Sequence, residues 1–140
     1  MSDPKTSANE GSKKVAPRSI KVAVGILAIE ALAPAFLAAW DVIDIVSGKA
    51  LMLSALLAQL ALWLGAALWV GFTARRLYEG RPWARSAAVF WQLVQLAVAW
   101  GSFTGEFANW WIGGALIVTS LAVFVLVLSK QSLEHTAREV

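Results

Sequence analysis

Four long apolar runs, each long enough to cross the hydrocarbon of a bilayer as a helix, constrain this chain more than any other feature. They span Val22 to Trp40 (weakly to Val46), Ala50 to Thr73, Ala84 to Phe103 and Trp110 to Leu128. At 1.5 Å per residue the first is roughly 28 Å long, close to the hydrocarbon thickness. Transmembrane strands alternate apolar and polar residues over about ten positions. The run from Ala55 to Val70 does not alternate and is rich in Leu and Ala, which favour helix. With no water in the bilayer core each backbone must satisfy its own hydrogen bonds, and a helix does so.

Composition closes off the soluble alternative. The chain is 59% hydrophobic and 15% charged, against about 25% charged in ordinary soluble domains. A 140-residue chain cannot hide that much apolar surface in one small core. The predicted fold class is therefore an all-α, polytopic, antiparallel bundle of four transmembrane helices. Residues 1–19 read as a disordered cytoplasmic tail. Residues 20–129 form the membrane domain, with helices at about 20–46, 50–73, 84–103 and 110–128, and residues 130–140 form a second polar cytoplasmic tail.

Charge gives an orientation. Lys5, Lys13, Lys14, Arg18 and Lys21 precede the first run. Arg75, Arg76, Arg81 and Arg85 lie between the second and third, and Lys130 and Arg138 follow the fourth. In a four-pass arrangement all of these share one side, and only Lys49 lies on the other. The positive-inside rule then places both termini in the cytoplasm. Trp40, Trp100, Trp110 and Trp111 fall at outer ends and Trp83 at an inner end, where amphipathic rings settle. A cleaved signal peptide fits poorly, because the first run is long, contains Glu30, and follows Ala31-Leu32-Ala33 with Pro34.

Glu30 is the leading candidate for chemistry. It sits near the middle of the first run, and an intramembrane carboxyl is a functional-site hypothesis by default. Pro34 cannot donate to the Glu30 carbonyl four residues earlier, which frees that acceptor and predicts a kink. Gln92 and Gln95 lie at similar depth in the third run, spaced to share a face that Ala88, Ala99 and Ser102 continue. Thr119, Ser120 and Gln59 are further polar candidates. Two readings stay open: a polar knot in which a protonated Glu30 bonds Gln92 or Gln95, and a site of proton or cation transfer.

Asp41 and Asp44, at the outer end of the first run, read as a solvated helix end or as cation ligands together with Glu106. Arg75, Arg76, Arg81 and Arg85 read as a topology anchor that grips anionic headgroups or docks a partner, each arginine contributing roughly 1 kcal/mol near the surface. Gly80 suits the end of the second helix and Pro82 the first turn of the third. Ala61 with Gly65, and Gly113 with Gly114, mark close-packing faces.

Hydrolytic and metal catalysis are poorly supported. Cysteine is absent and His135 is the single histidine. There is no H-E-x-x-H pair, G-x-S-x-G elbow, P-loop or dinucleotide fingerprint. No cofactor, metal or nucleic-acid partner is expected, and the anticipated partners are lipid and other membrane proteins.

The segment Gly80-Arg81-Pro82-Trp83-Ala84-Arg85, with the run from Ser86 to Leu93 that follows it, resembles a G-R-x-W-A-R segment leading into the third helix of uncharacterised small four-helix membrane proteins of high-GC Gram-positive, actinobacterial-type bacteria. That resemblance covers most of the four-helix region. It implies a plasma-membrane address and brings no functional residues with it. Two classes of function follow: a non-catalytic accessory or scaffold subunit of a larger membrane complex, or a small oligomeric transporter or channel component built around Glu30.

Overall fold

The computed structural model describes residues 15–49, 51–104 and 109–137. Five helices run through them: α1 (Arg18–Val46), α2 (Leu53–Tyr78), α3 (Pro82–Thr104), α4 (Trp110–Val127) and the short α5 (Lys130–Thr136). The first four are each long and apolar enough to cross a membrane.

Helix ends follow local chemistry. α1 and α2 both stop in Schellman motifs. Gly48 (φ 68°) and Gly80 (φ 77°) take the left-handed conformation that lacks a Cβ penalty. The following amides, Lys49 N–H and Arg81 N–H, bond back to the carbonyls of Asp44 and Arg76 at 3.0 Å each. α4 starts at Asn109, whose Oδ1 accepts from the Trp111 and Ile112 amides at 3.2 and 3.3 Å.

Several boundaries differ from expectation, and α2 starts at Leu53 rather than at residue 50. α2 continues to Tyr78 rather than stopping at Thr73, so Arg75 and Arg76 occupy its last turn. Arginine is a good helix former, and a cation is favourable at a helix C-terminus. α3 starts at Pro82, whose fixed φ and missing N–H suit a first helical position. The expected polar tail after residue 129 instead forms α5 over Lys130–Thr136, with Ser132, His135 and Thr136 buried. The Ser129 hydroxyl caps it, accepting from the Ser132 amide at 3.4 Å. Residues 1–14 of the expected disordered tail, Glu106, and the C-terminal residues 138–140 lie outside the described residues. Within the remainder of that first tail, Ala16 is buried and Arg18 and Ser19 are helical.

The helices pair as two hairpins, α1 with α2 and α3 with α4, joined more sparsely through α1–α4 and α2–α3. Their core lies toward the end that carries the α2–α3 turn and α5, called here the basic end. Ile20 and Leu27 of α1 meet Val70 and Leu77 of α2, Ala88 of α3 and Val127 of α4 there. Toward the opposite end Gly113 of α4 lies against Phe103 of α3; a Cβ at Gly113 would stand 2.7 Å from the ring. Large apolar side chains cover the outside, with Leu68 73% and Val125 68% exposed. A surface so evenly apolar suits lipid rather than water.

Candidate functional site

The buried residues of α1 are Ile20, Ala23, Leu27, Glu30, Pro34, Ala38 and Asp41. Steps of three and four keep them on one stripe facing the bundle. α1 runs through Pro34 without interruption. Glu30 lies about 18 Å along a helix of roughly 43 Å.

The structure brings Glu30 and Gln92 together. The Gln92 Nε2–H donates to Glu30 Oε2 at 3.1 Å, and both side chains are buried. One turn further along α3, Gln95 Oε1 accepts from the Ser120 hydroxyl at 3.1 Å. The i, i+3 pair of glutamines therefore ties α3 to α1 on one side and to α4 on the other. Because α1 and α3 belong to different hairpins, the Glu30–Gln92 bond crosses the sparser interface. Ala88 and Ala99 share this buried face, while Ser102 bonds its own helix at the Val98 carbonyl, 3.0 Å away. Thr119 likewise donates to Leu116 within α4, at 3.2 Å.

The cluster is incompletely satisfied. Glu30 Oε1, Gln92 Oε1 and the Trp91 indole Nε1 are buried without a hydrogen-bond partner. Such groups normally find partners, because desolvation without compensation costs roughly 1–3 kcal/mol each. The ion pairs among the described residues, Arg75–Glu79 and Arg76–Glu79, lie at the basic end, away from this carboxyl. Chemically, the arrangement can lock hairpins together, or hold and release a proton at Glu30.

Asp41 departs from expectation. It is not a solvated helix end: it is 5% exposed, and its Oδ1 accepts from Gln59 Nε2 of α2 at 3.2 Å, with Oδ2 unpartnered. Asp44 is half-buried and lies off the stripe. No group of three His, Cys, Asp or Glu side chains converges among the described residues. Gln59 thus serves Asp41 rather than Glu30. The stripe spacing 30, 34, 38, 41 carries the signal for Asp41, once it is followed past the middle of the helix.

The four arginines do not form one patch. Arg75 Nε and Arg76 Nη1 share Glu79, at 3.2 and 2.9 Å. Arg85 turns to α5, donating to Thr136 Oγ1 at 3.4 Å. Arg81 lies in the turn and is exposed. α5 is held beneath them by His135 Nε2–H, which donates to the Tyr78 carbonyl at 3.2 Å, and by Ser132, which lies 3.2 Å from the Ser19 hydroxyl.

In comparisons with known proteins, no family model, no curated protein and no solved structure matches the chain.

Proposed function

We propose that the chain is a non-catalytic accessory or scaffold subunit of a bacterial plasma membrane, with both termini cytoplasmic, that packs against a larger membrane complex. The observation carrying this reading is α2. Only Val70, Thr73, Ala74 and Leu77, all in its last third, are buried. Over its earlier length every residue is half-buried or exposed. Beside it runs an open groove in which Ala61, Gly65 and Ala66 of α2 oppose Trp91 and Val94 of α3. A Cβ added at Gly65 meets nothing within 4 Å. Small residues along an uncovered transmembrane face allow a foreign helix to approach closely. The Glu30–Gln92 bond then acts as the internal lock that keeps two hairpins in register while that face engages a partner. Sidedness rests on the basic residues gathered at one end of a four-pass bundle. The actinobacterial-type resemblance of Gly80 to Arg85 agrees with such an address.

The test is affinity purification of the full chain from its own membranes in mild detergent, with mass spectrometry. A stoichiometric membrane partner, lost when Gly65 is replaced by Leu, supports the reading. A chain that purifies alone as a monomer, whatever detergent is used, overturns it.

A second reading is favoured by one specific observation. Glu30 and Asp41 lie on the same stripe of α1, each with one oxygen bonded to an amide and one without a partner. Ion pathways usually show more than one ionisable group at depth. In this reading the chain is a small oligomeric transporter or channel component, and Glu30→Gln abolishes proton or cation flux in liposomes while the protein still folds. Unchanged flux in that variant removes the reading.

A further inference from the structure

The α2–α3 turn builds a cleft lined by Phe72, Arg76, Arg81, Pro82 and Trp83. We propose that this cleft is a binding site for one anionic phospholipid, its phosphodiester held between Arg76 and Arg81 and its acyl chains leaving along Phe72 and Trp83. The inference rests on the reading that α2 and α3 cross a bilayer, and it adds a specific ligand to that reading.

Three features set the cleft apart from a generic basic surface. The first is fixed geometry. Arg76 is held twice, by Glu79 at 2.9 Å and by the face of Phe72, whose centroid lies 4.8 Å from its guanidinium carbon. Phe72 in turn packs on Trp83, ring centroids 5.6 Å apart. A guanidinium held in place loses little freedom when it takes a phosphate, and its planar fork matches phosphate oxygens. The second is charge. The turn carries three arginines, Arg75, Arg76 and Arg81, against a single acid, Glu79, which pairs with the first two, so it keeps a net positive charge after the ion pairs are formed. Arg81 makes no ion pair among the described residues. A net negative headgroup is thereby preferred over a zwitterionic one that carries the same phosphate. The third is level. Trp83 sits in the first turn of α3 and Phe72 near the end of α2, so an aromatic wall lies just below the guanidinium groups. That is the order, charge then ring then apolar helix, in which a phospholipid presents phosphate, glycerol and acyl chain.

The experiment is native mass spectrometry of the full chain, released from mild detergent and titrated with phosphatidylglycerol or phosphatidylcholine. Phosphatidylglycerol should bind more tightly. Arg76→Ala and Arg81→Ala should each weaken it about fivefold, the value of one arginine near a membrane surface. Phe72→Leu, which changes no charge, should weaken it about two- to fivefold by releasing Arg76. Lys21→Ala removes an exposed cation near the same end but outside the cleft, and should change nothing. Equal affinity for both lipids, or a Lys21→Ala loss equal to that of Arg81→Ala, would overturn the site in favour of unspecific charge. Competition by inorganic phosphate at the lipid's own concentration would assign the cleft to a soluble anion and overturn it as well. A chain that stays monodisperse without detergent would instead remove the membrane reading beneath it.

Discussion

Gln92 of α3 donates its side-chain amide to the Glu30 carboxyl of α1 across 3.1 Å, joining the two hairpins at mid-length of the bundle. The two residues are 62 positions apart in the chain, and each lies well inside a long, mainly apolar helix. Their pairing sets the register in which the hairpins meet.

Removing both partners should cost less than the sum of removing each alone. Glu30→Leu leaves the Gln92 amide buried and unpaired, a loss of about 1–3 kcal/mol. Gln92→Leu should cost a similar amount. The double replacement should recover part of the loss, with a coupling energy of about 0.5–2 kcal/mol. Thermal denaturation of the four proteins in one detergent gives the cycle, and strict additivity would remove the lock.

Gly113 and Gly114 should respond differently to the same substitution. A Cβ at Gly113 stands 2.7 Å from Phe103, whereas one at Gly114 meets nothing within 4 Å. Gly113→Ala should destabilise by about 1–3 kcal/mol through overpacking, and Phe103→Leu should relieve it. Gly114→Ala should be neutral or slightly stabilising, since alanine loses less backbone freedom in a helix. The comparison needs only melting temperatures.

At the basic end Gly80 has two reasons to be glycine. Its φ is 77°, and an added Cβ would lie 3.0 Å from the His135 carbonyl oxygen. Gly80→Ala should cost about 1–2 kcal/mol from the backbone alone and should loosen α5. Limited proteolysis should then cut near Lys130 sooner than in the parent chain. His135→Ala, which removes the bond to the Tyr78 carbonyl, should produce the same cut with a smaller change in melting temperature.

These sites separate what the amino-acid sequence makes visible from what it does not. The four long helices are legible because each is an apolar run of the length that crossing a bilayer requires. Glu30 and the Gln92–Gln95 face stand out as polar interruptions of apolar helices. α5 is not legible. It is seven residues long and polar, and it is held by Tyr78, Ser19 and Arg85, which lie far away in the chain. Asp41 was within reach. Its place at a helix end suggests solvent, yet the stripe through Glu30, Pro34 and Ala38 runs directly to it. The overrun of α2 has a similar origin: charged residues mark the edge of the apolar run, and the helix outlasts that edge because arginine supports helix.

Glu79 supplies a pH dependence. Desolvation raises its carboxyl, but hydrogen bonds from Arg76 and Arg75 and their charges together outweigh that, and it is held below its ordinary value of 4.5. A carboxyl whose folded pKa is depressed adds stability above its unfolded pKa and loses it as pH falls through the folded one. The stability difference between the parent chain and Glu79→Gln should therefore be present at neutral pH and vanish in acid. It should be small, because the pair is exposed and salt screens it. A difference that grows in acid would contradict the assignment.

The central claim is that four helices cross a bilayer with both chain ends on the cytoplasmic side. The chain has no cysteine, so single replacements report cleanly. Lys49→Cys and Gln131→Cys, expressed separately in intact cells, should differ toward a membrane-impermeant maleimide. The account predicts labelling of the Lys49 position from outside, and of the Gln131 position only after the membrane is opened. Labelling of the Gln131 position in intact cells, or protection of the Lys49 position there, would contradict it.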